Sequence, residues 1–80
     1  MVTLAQVRDL SKRALPNADL SKLEESGGRI FGEIRDAAFA SMSQDQRIEW
    51  LNKNVREPLG LQGTNVGLLL PLEPGEEPWQ

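Results

Sequence analysis

The stretch Asp36–Leu51, DAAFASMSQDQRIEWL, decides how this chain folds, because it joins a predicted strand to a predicted helix. Ser43 followed by Gln46 is a capping box, in which each side chain satisfies a main-chain N–H of the other residue at a helix start. Asp45 adds a negative charge where the helix dipole favours one. The spacing therefore predicts a helix from Ser43, with Phe39 in the preceding bend closing one end of a thin core.

The residues before this stretch predict a pair of antiparallel strands. Arg29–Arg35 contains β-branched and aromatic residues over a strand length, with Ile30 and Ile34 on one face and Phe31 on the other. A Ser-Gly-Gly sequence precedes it and can close a hairpin, since glycine accepts positive φ. Asp19–Glu25 is therefore predicted to be a short edge strand.

Two further elements flank this region. Thr3 and Gln6 form another capping box, which predicts a first helix that ends before Pro16. The apolar run Val66–Leu72 predicts a last strand that is covered on both faces or paired centrally. We expect its pairing to fail at Pro71, because proline has no N–H to donate.

The order helix, strand, strand, helix, strand is typical of an α+β fold of two layers. Both helices would pack on one face of a three-stranded sheet. The connection through the second helix predicts that the second and third strands are parallel. We expect a single domain at residues 1–72 and an irregular tail, rich in proline and glutamate, at residues 73–80.

The composition of the 80-residue chain excludes many kinds of site, because it contains no cysteine and no histidine. It therefore lacks disulfides, thiolate or imidazole metal ligands, a cysteine nucleophile and a histidine general base. The adjacent glutamates Glu24–Glu25 and Glu76–Glu77 are better explained as solvated surface than as catalytic pairs. We expect no catalytic activity, no cofactor and no metal site.

The formal net charge of −3 disfavours tight, non-specific binding to nucleic acid, which requires clustered positive charge. No apolar run is long enough to span a bilayer. The first residues lack the pattern of a secretory signal. These observations predict a cytoplasmic protein without a membrane partner.

Four segments match, in kind and order, those of a known family. They are Ala14–Ala18 at the end of the first helix, Arg35–Ser43 around Phe39, Arg47–Leu51 in the second helix, and Glu76–Trp79 in the tail. Together they resemble the BolA family, and the resemblance covers nearly the whole chain. It implies a class II KH-like fold, a monothiol glutaredoxin as partner, and a role in iron homeostasis or the stress response.

Two positions depart from the family pattern. Ile48 and Val66 stand where family members usually carry histidines, and the second of these histidines binds an iron-sulfur cluster shared with the glutaredoxin. An isopropyl group has no lone pair for iron, so the cluster thiolates would come from the partner and from glutathione. Asn65 and Glu73 are the polar residues that could lie near such a metal.

The resemblance and the residue types predict a protein-binding surface around the last strand and the second helix. The predicted contact residues are Arg47, Trp50, Asn65, Val66 and Trp79. Trp50 lies at the margin of the helical apolar stripe, so it either covers the edge of the core or anchors a partner. Trp79 either folds back onto the domain or docks elsewhere.

Two other functions stay open at this point. Arg29, Arg35, Arg47, Lys53 and Arg56 could form a basic stripe for a transcriptional regulator that binds nucleic acid, although glutamates interrupt the stripe. A KH-type site would also need a GxxG loop between two helices, and no such loop is found. The third possibility is a small structural subunit of a larger assembly.

Overall fold

Each of the two main helices begins at a capping box. The Gln6 N–H donates to the Thr3 hydroxyl at 3.2 Å, and the Gln6 side-chain oxygen accepts from the Thr3 N–H at 2.7 Å. Helix α1 then spans Leu4–Ala14. Ser43 makes the equivalent pair of bonds, at 3.2 and 2.8 Å, and starts helix α2, Gln44–Leu51. Both predicted helix starts are confirmed.

Helical structure continues beyond α2 with a different hydrogen-bonding pattern. Asn52–Arg56 forms a π-helical turn, and Glu57–Leu59 adds a last α-helical turn that ends at Gly60, whose φ is +58°. Gly60–Asn65 then winds into 3₁₀ turns. The π-helical turn brings Val55 into the core, where it has no exposed surface.

The computed structural model describes residues 1–78, and its sheet has three strands. They are β1 (Leu23–Ser26), β2 (Arg29–Arg35) and β3 (Val66–Leu72), with β2 in the centre. β1 pairs with β2 in antiparallel orientation, and β3 pairs with β2 in parallel. The predicted α+β order and the parallel pair are confirmed.

The first strand starts later than the predicted Asp19–Glu25. Asp19 makes one isolated antiparallel bridge to Arg35. Its carboxylate then accepts from the Ser21 N–H at 2.9 Å, which turns the chain away from the sheet. Regular pairing begins only at Leu23, opposite Gly32.

One face of the sheet carries the core. Its buried cluster is Val2, Val7, Ala18, Leu20, Leu23, Ile30, Ile34, Phe39, Leu51, Val55, Val66 and Leu69. Ile30 and Ile34 are fully buried there, whereas Phe31 points to the other face and is half-buried, as the alternation predicts. Phe39 lies in a 3₁₀ turn, Ala37–Ser41, between β2 and α2, and is completely buried. Its predicted position is confirmed.

The position of β3 differs from the prediction. It is an outer strand of the sheet, not a central one. Its continuous apolar run is also not covered on both faces, since Leu68 is 68% exposed while Leu69 is buried. Within residues 1–78, no helix lies over the second face, because α1 and α2 lie against the core on the first. The apolar run therefore reflects one buried face and one open apolar face.

Pairing of β3 also continues through Pro71, where the sequence predicts that it fails. Pro71 lies opposite Ile34, and Leu72 lies opposite Arg35. The Leu72 carbonyl accepts from the Asp36 N–H at 3.0 Å and so faces β2. By alternation, Pro71 faces the outer edge, so its missing N–H removes no hydrogen bond from the ladder.

Gly32 is required where β2 passes the chain that leads into β1. Its φ is +134°, and an added Cβ would lie 2.0 Å from the Lys22 carbonyl oxygen. The added Cβ would collide with backbone and not with a side chain, so no side-chain rotation can relieve the collision. The central strand can therefore approach β1 this closely only with glycine at this position.

We expect Gly32→Ala to lower the free energy of unfolding by about 3 kcal/mol or more, through the collision and the unfavourable φ. Urea unfolding followed by circular dichroism measures the change. Gly27→Ala is the matched control, because Gly27 has a φ of +58° and open space around it. Equal losses for the two variants would mean that the collision is relieved at no cost.

We expect Phe39→Ala to lower the free energy of unfolding by about 3 kcal/mol, because it empties a fully enclosed site. Phe31→Ala removes the same ring from a half-buried position and should cost about 1 kcal/mol. Both are measured by urea unfolding. A Phe39→Ala loss no larger than the Phe31→Ala loss would contradict the assigned role of Phe39 in closing the core.

Candidate functional site

Arg47 reaches across from α2 to the end of β3. Its guanidinium donates to the Met42 carbonyl at 3.3 Å, to the Pro71 carbonyl at 3.2 Å and to the Glu76 carboxylate at 2.6 Å. The residue is only 8% exposed. A buried guanidinium is stable only with such partners, so Arg47 links the helical layer, the outer strand and the tail.

Arg35 holds the same part of the tail from the sheet. Its Nε donates to the Glu33 carboxylate at 2.8 Å, and its Nη1 donates to the carbonyls of Glu73 and Glu76 at 3.0 and 2.8 Å. Residues 73–76 are therefore fastened by two arginines. Sequence reasoning missed this arrangement, because it treated Arg35 and Arg47 as surface charges and not as residues that bind the tail.

Asn65 sits at the opposite end of β3. Its side-chain oxygen accepts from the Val2 N–H at 3.1 Å, and its amide nitrogen donates to the carbonyls of Val2 and Gly28 at 2.9 and 3.0 Å. The residue is 8% exposed. Asn65 thus ties the start of the chain to the β1–β2 turn. Val66, the next residue, is buried in the core opposite Ile30.

Trp50 packs edge-on against Phe39. The ring centroids are 5.1 Å apart and the planes are nearly perpendicular, at 86°. This geometry is favourable for aromatic pairs and holds Trp50 at the rim of the core. The exposed part of Trp50 lines a cleft of 460 Å³ together with Met42 and Lys53. Trp50 is therefore both a core-edge residue and accessible.

The structure does not bring the predicted contact residues into one cluster. Asn65 and Val66 are adjacent at the start of β3, whereas Arg47 contacts Pro71, about 16 Å further along the strand. Trp50 lies over Phe39, and Trp79 lies outside the described residues. The role of these residues in binding a partner stays a prediction.

Three arginines of the basic stripe considered above make hydrogen bonds within the chain. Arg56 donates to the Gly67 carbonyl at 2.8 Å, and Arg35 and Arg47 donate to main-chain carbonyls as described. A guanidinium held by carbonyls within its own fold is not presented to a phosphate backbone. The geometry thus leaves the nucleic-acid hypothesis without a continuous basic surface.

The open face of the sheet is a candidate surface that sequence reasoning did not single out. Phe31 in β2 and Leu68 and Leu70 in β3 lie on it, and they line an open cleft of 350 Å³ with Lys22, Glu24, Gly32 and Glu33. Leu68 is 68% exposed, and Phe31 and Leu70 are half-buried. We call this set the open-face patch. The unbroken apolar run of β3 concealed it, because such a run has no visible alternation.

The outer edge of β3 is less accessible than its face. Pro71 has no N–H to offer, and its carbonyl is bound by Arg47. The carbonyl of Gly67, near the other end of the strand, is bound by Arg56. Charged side chains and proline on an edge strand hinder the addition of another strand. A partner of β3 would therefore approach the face of the sheet, not its edge.

Titratable groups give little indication of a reactive centre. The pKa of Asp19 lies below its usual value, because the main-chain N–H and the side chain of Ser21 donate to its carboxylate. Asp19 is exposed, and its contact belongs to the turn before β1. Within residues 1–78, no three acidic side chains come together as a metal site would require.

No family model, no curated protein and no solved structure matches this chain. Within residues 1–78, no helix has the length and apolarity needed to cross a bilayer.

We expect Asn65→Ala to lower the free energy of unfolding by about 3 kcal/mol, because it leaves the buried N–H and carbonyl of Val2 and the half-buried Gly28 carbonyl without their partner. Asn54→Ala is the control, since Asn54 makes a single bond at 3.0 Å to the Trp50 carbonyl in its own helix. Thermal and urea unfolding measure both variants. A loss for Asn65→Ala as small as that for Asn54→Ala would argue against a structural role of Asn65.

Proposed function

We propose that this chain is a BolA-like adaptor that works by binding another protein and not by catalysis. The observation that carries the proposal is the open-face patch, where Leu68 is 68% exposed beside Phe31 and Leu70. Apolar side chains grouped on one uncovered face are typical of surfaces that bind proteins. The absence of cysteine and histidine from the sequence agrees with a binding role.

The partner in this proposal is a monothiol glutaredoxin, which rests on the resemblance of the four segments to the BolA family. The proposal includes a cytoplasmic location and a regulatory role in iron homeostasis or the stress response. Val66 is buried and has no lone pair, so any shared cluster takes its thiolates from the glutaredoxin and from glutathione. This chain then contributes a packing surface.

The open-face patch fits a protein better than a small molecule. The cleft is open to solvent and has acidic and basic groups at its margin, with Glu33 paired to Arg35 at 2.8 Å. Small molecules are usually bound in deeper pockets that enclose most of their surface. An apolar centre with a polar rim is the usual anatomy of a protein interface.

Leu68→Glu should weaken binding to the glutaredoxin by about tenfold or more, because it places a charge in the centre of the contact. Calorimetry and an NMR titration with the apo and the cluster-loaded partner measure the affinity and locate the contact. Leu61→Glu is the matched control. Leu61 is 92% exposed but lies in the 3₁₀ turns before β3, outside the open-face patch.

Equal effects of the two substitutions would remove the open-face patch from the proposal. Failure of the unmodified chain to bind either form of the glutaredoxin would remove that partner. Shifts confined to Trp50 and Met42 would move the contact to the cleft beside α2.

A further inference from the structure

Residues 73–76 form a tight turn that folds a carboxylate back onto the domain. The Glu76 N–H donates to the Glu73 carbonyl at 3.1 Å, and Gly75 has a φ of +80°. Proline in the second position and a glycine with positive φ in the third are typical of a type II β-turn. We call this four-residue segment the tail turn. Because the turn reverses the chain, the Glu76 side chain points towards the end of β3.

The Glu76 carboxylate occupies a site whose hydrogen-bond donors are arranged to bind an anion. One oxygen accepts from the Arg47 guanidinium at 2.6 Å and from the Glu73 N–H at 2.9 Å. The Arg47 side chain is 10% exposed and is also held by two main-chain carbonyls. The guanidinium is therefore fixed in place and largely removed from water, where a carboxylate is its best partner.

Arg35 extends this site so that it recognises main chain as well as a side chain. Its Nη1 donates to the carbonyls of Glu73 and Glu76, and its Nε is fixed by Glu33. One arginine thus binds a carboxylate, and the other binds the peptide carbonyls around it. This combination fits a peptide segment with an acidic side chain better than it fits a free inorganic anion.

We infer that Arg47 and Arg35 form a binding site for an acidic peptide segment of another protein, and that Glu76 of the tail turn occupies this site as an internal ligand. The site adjoins the open-face patch at Glu33, but it binds a carboxylate and peptide carbonyls and not apolar side chains, so the inference goes beyond the proposed function. A short tether gives the internal ligand an effective concentration on the order of millimolar. An external segment therefore binds weakly until the tail turn is loosened.

The probe for this site is a fluorescein-labelled peptide with the sequence of residues 72–78, LEPGEEP, and the measurement is fluorescence anisotropy. We expect Glu76→Ala in the full chain to bind the peptide about tenfold more tightly than the unmodified chain, because its own carboxylate no longer competes. Glu77→Ala is the matched control, since Glu77 is the neighbouring exposed glutamate. Its affinity should equal that of the unmodified chain.

The specificity of the site is tested by changing the peptide and by changing the chain. A peptide with glutamine in place of the glutamate that corresponds to Glu76 should bind the Glu76→Ala chain about tenfold less tightly. Equal binding of the two peptides, or equal binding of one peptide to Glu76→Ala and Glu77→Ala, would overturn the inference. Such equal affinities are the result expected if the peptide binds to another charged surface of the chain.

Glu76→Ala also leaves Arg47 without its carboxylate, so a second variant loosens the tail turn by another route. Gly75→Ala places an unfavourable φ of +80° on alanine, while the new Cβ meets open space. Both arginines and Glu76 are kept. We expect tighter peptide binding than in the unmodified chain, together with shifted NMR signals for the Glu73 and Glu76 amides.

An NMR titration of the unmodified chain with millimolar peptide completes the test. The Glu73 amide donates to Glu76 in the closed tail turn, so its signal should shift when the peptide displaces that carboxylate. Shifted amides in Gly75→Ala without peptide binding, or an unmoved Glu73 amide in the unmodified chain at saturating peptide, would each refute the site.

Discussion

The parallel pairing of β2 with β3 is the interaction on which the rest of the structure depends. It sets Ile30 opposite Val66 and Ile34 opposite Pro71, and so forms the buried sheet face on which the helices pack. A parallel pair needs a long crossover, and α2 with its π-helical continuation supplies it. Hydrogen bonds from other segments then hold both ends of β3. Asn65 ties one end to the start of the chain, while the other end receives arginines from both layers.

A two-layer fold of this size covers only one face of its sheet. The second face must either tolerate water or meet another molecule, and in this chain it carries Phe31 beside Leu68 and Leu70. The outer edge of β3 is protected by Pro71 and by arginines that bind its carbonyls. Protecting the edge while leaving the face apolar favours contact with a folded surface over strand addition, which is the kind of contact that the proposed adaptor role requires.

The arginines show how a charge pattern in sequence can mislead. Arg35, Arg47 and Arg56 are far apart in the chain, and their charges suggest a surface for a polyanion. In the structure each donates to carbonyls of neighbouring segments, so they act as cross-links of a thin core. A guanidinium has five donors in a plane, which lets Arg47 join α2, β3 and the tail turn at once. The acidic residue that completes this network belongs to a turn whose pattern, Glu-Pro-Gly-Glu, is readable in the sequence, although its docking site is not.

Local chemistry determined what the sequence predicted well: the helix starts at Thr3 and Ser43, the β1–β2 turn, the alternation of Ile30, Phe31 and Ile34, and the order of elements. These features depend on neighbours within a few residues, so a short pattern is sufficient to recognise them. The tertiary structure alone decided that β3 is an outer strand, that Pro71 faces its free edge, and that Arg47 meets Glu76. Each of these depends on segments distant in the chain, and an apolar run or a single charge carries no information about which distant group it will meet.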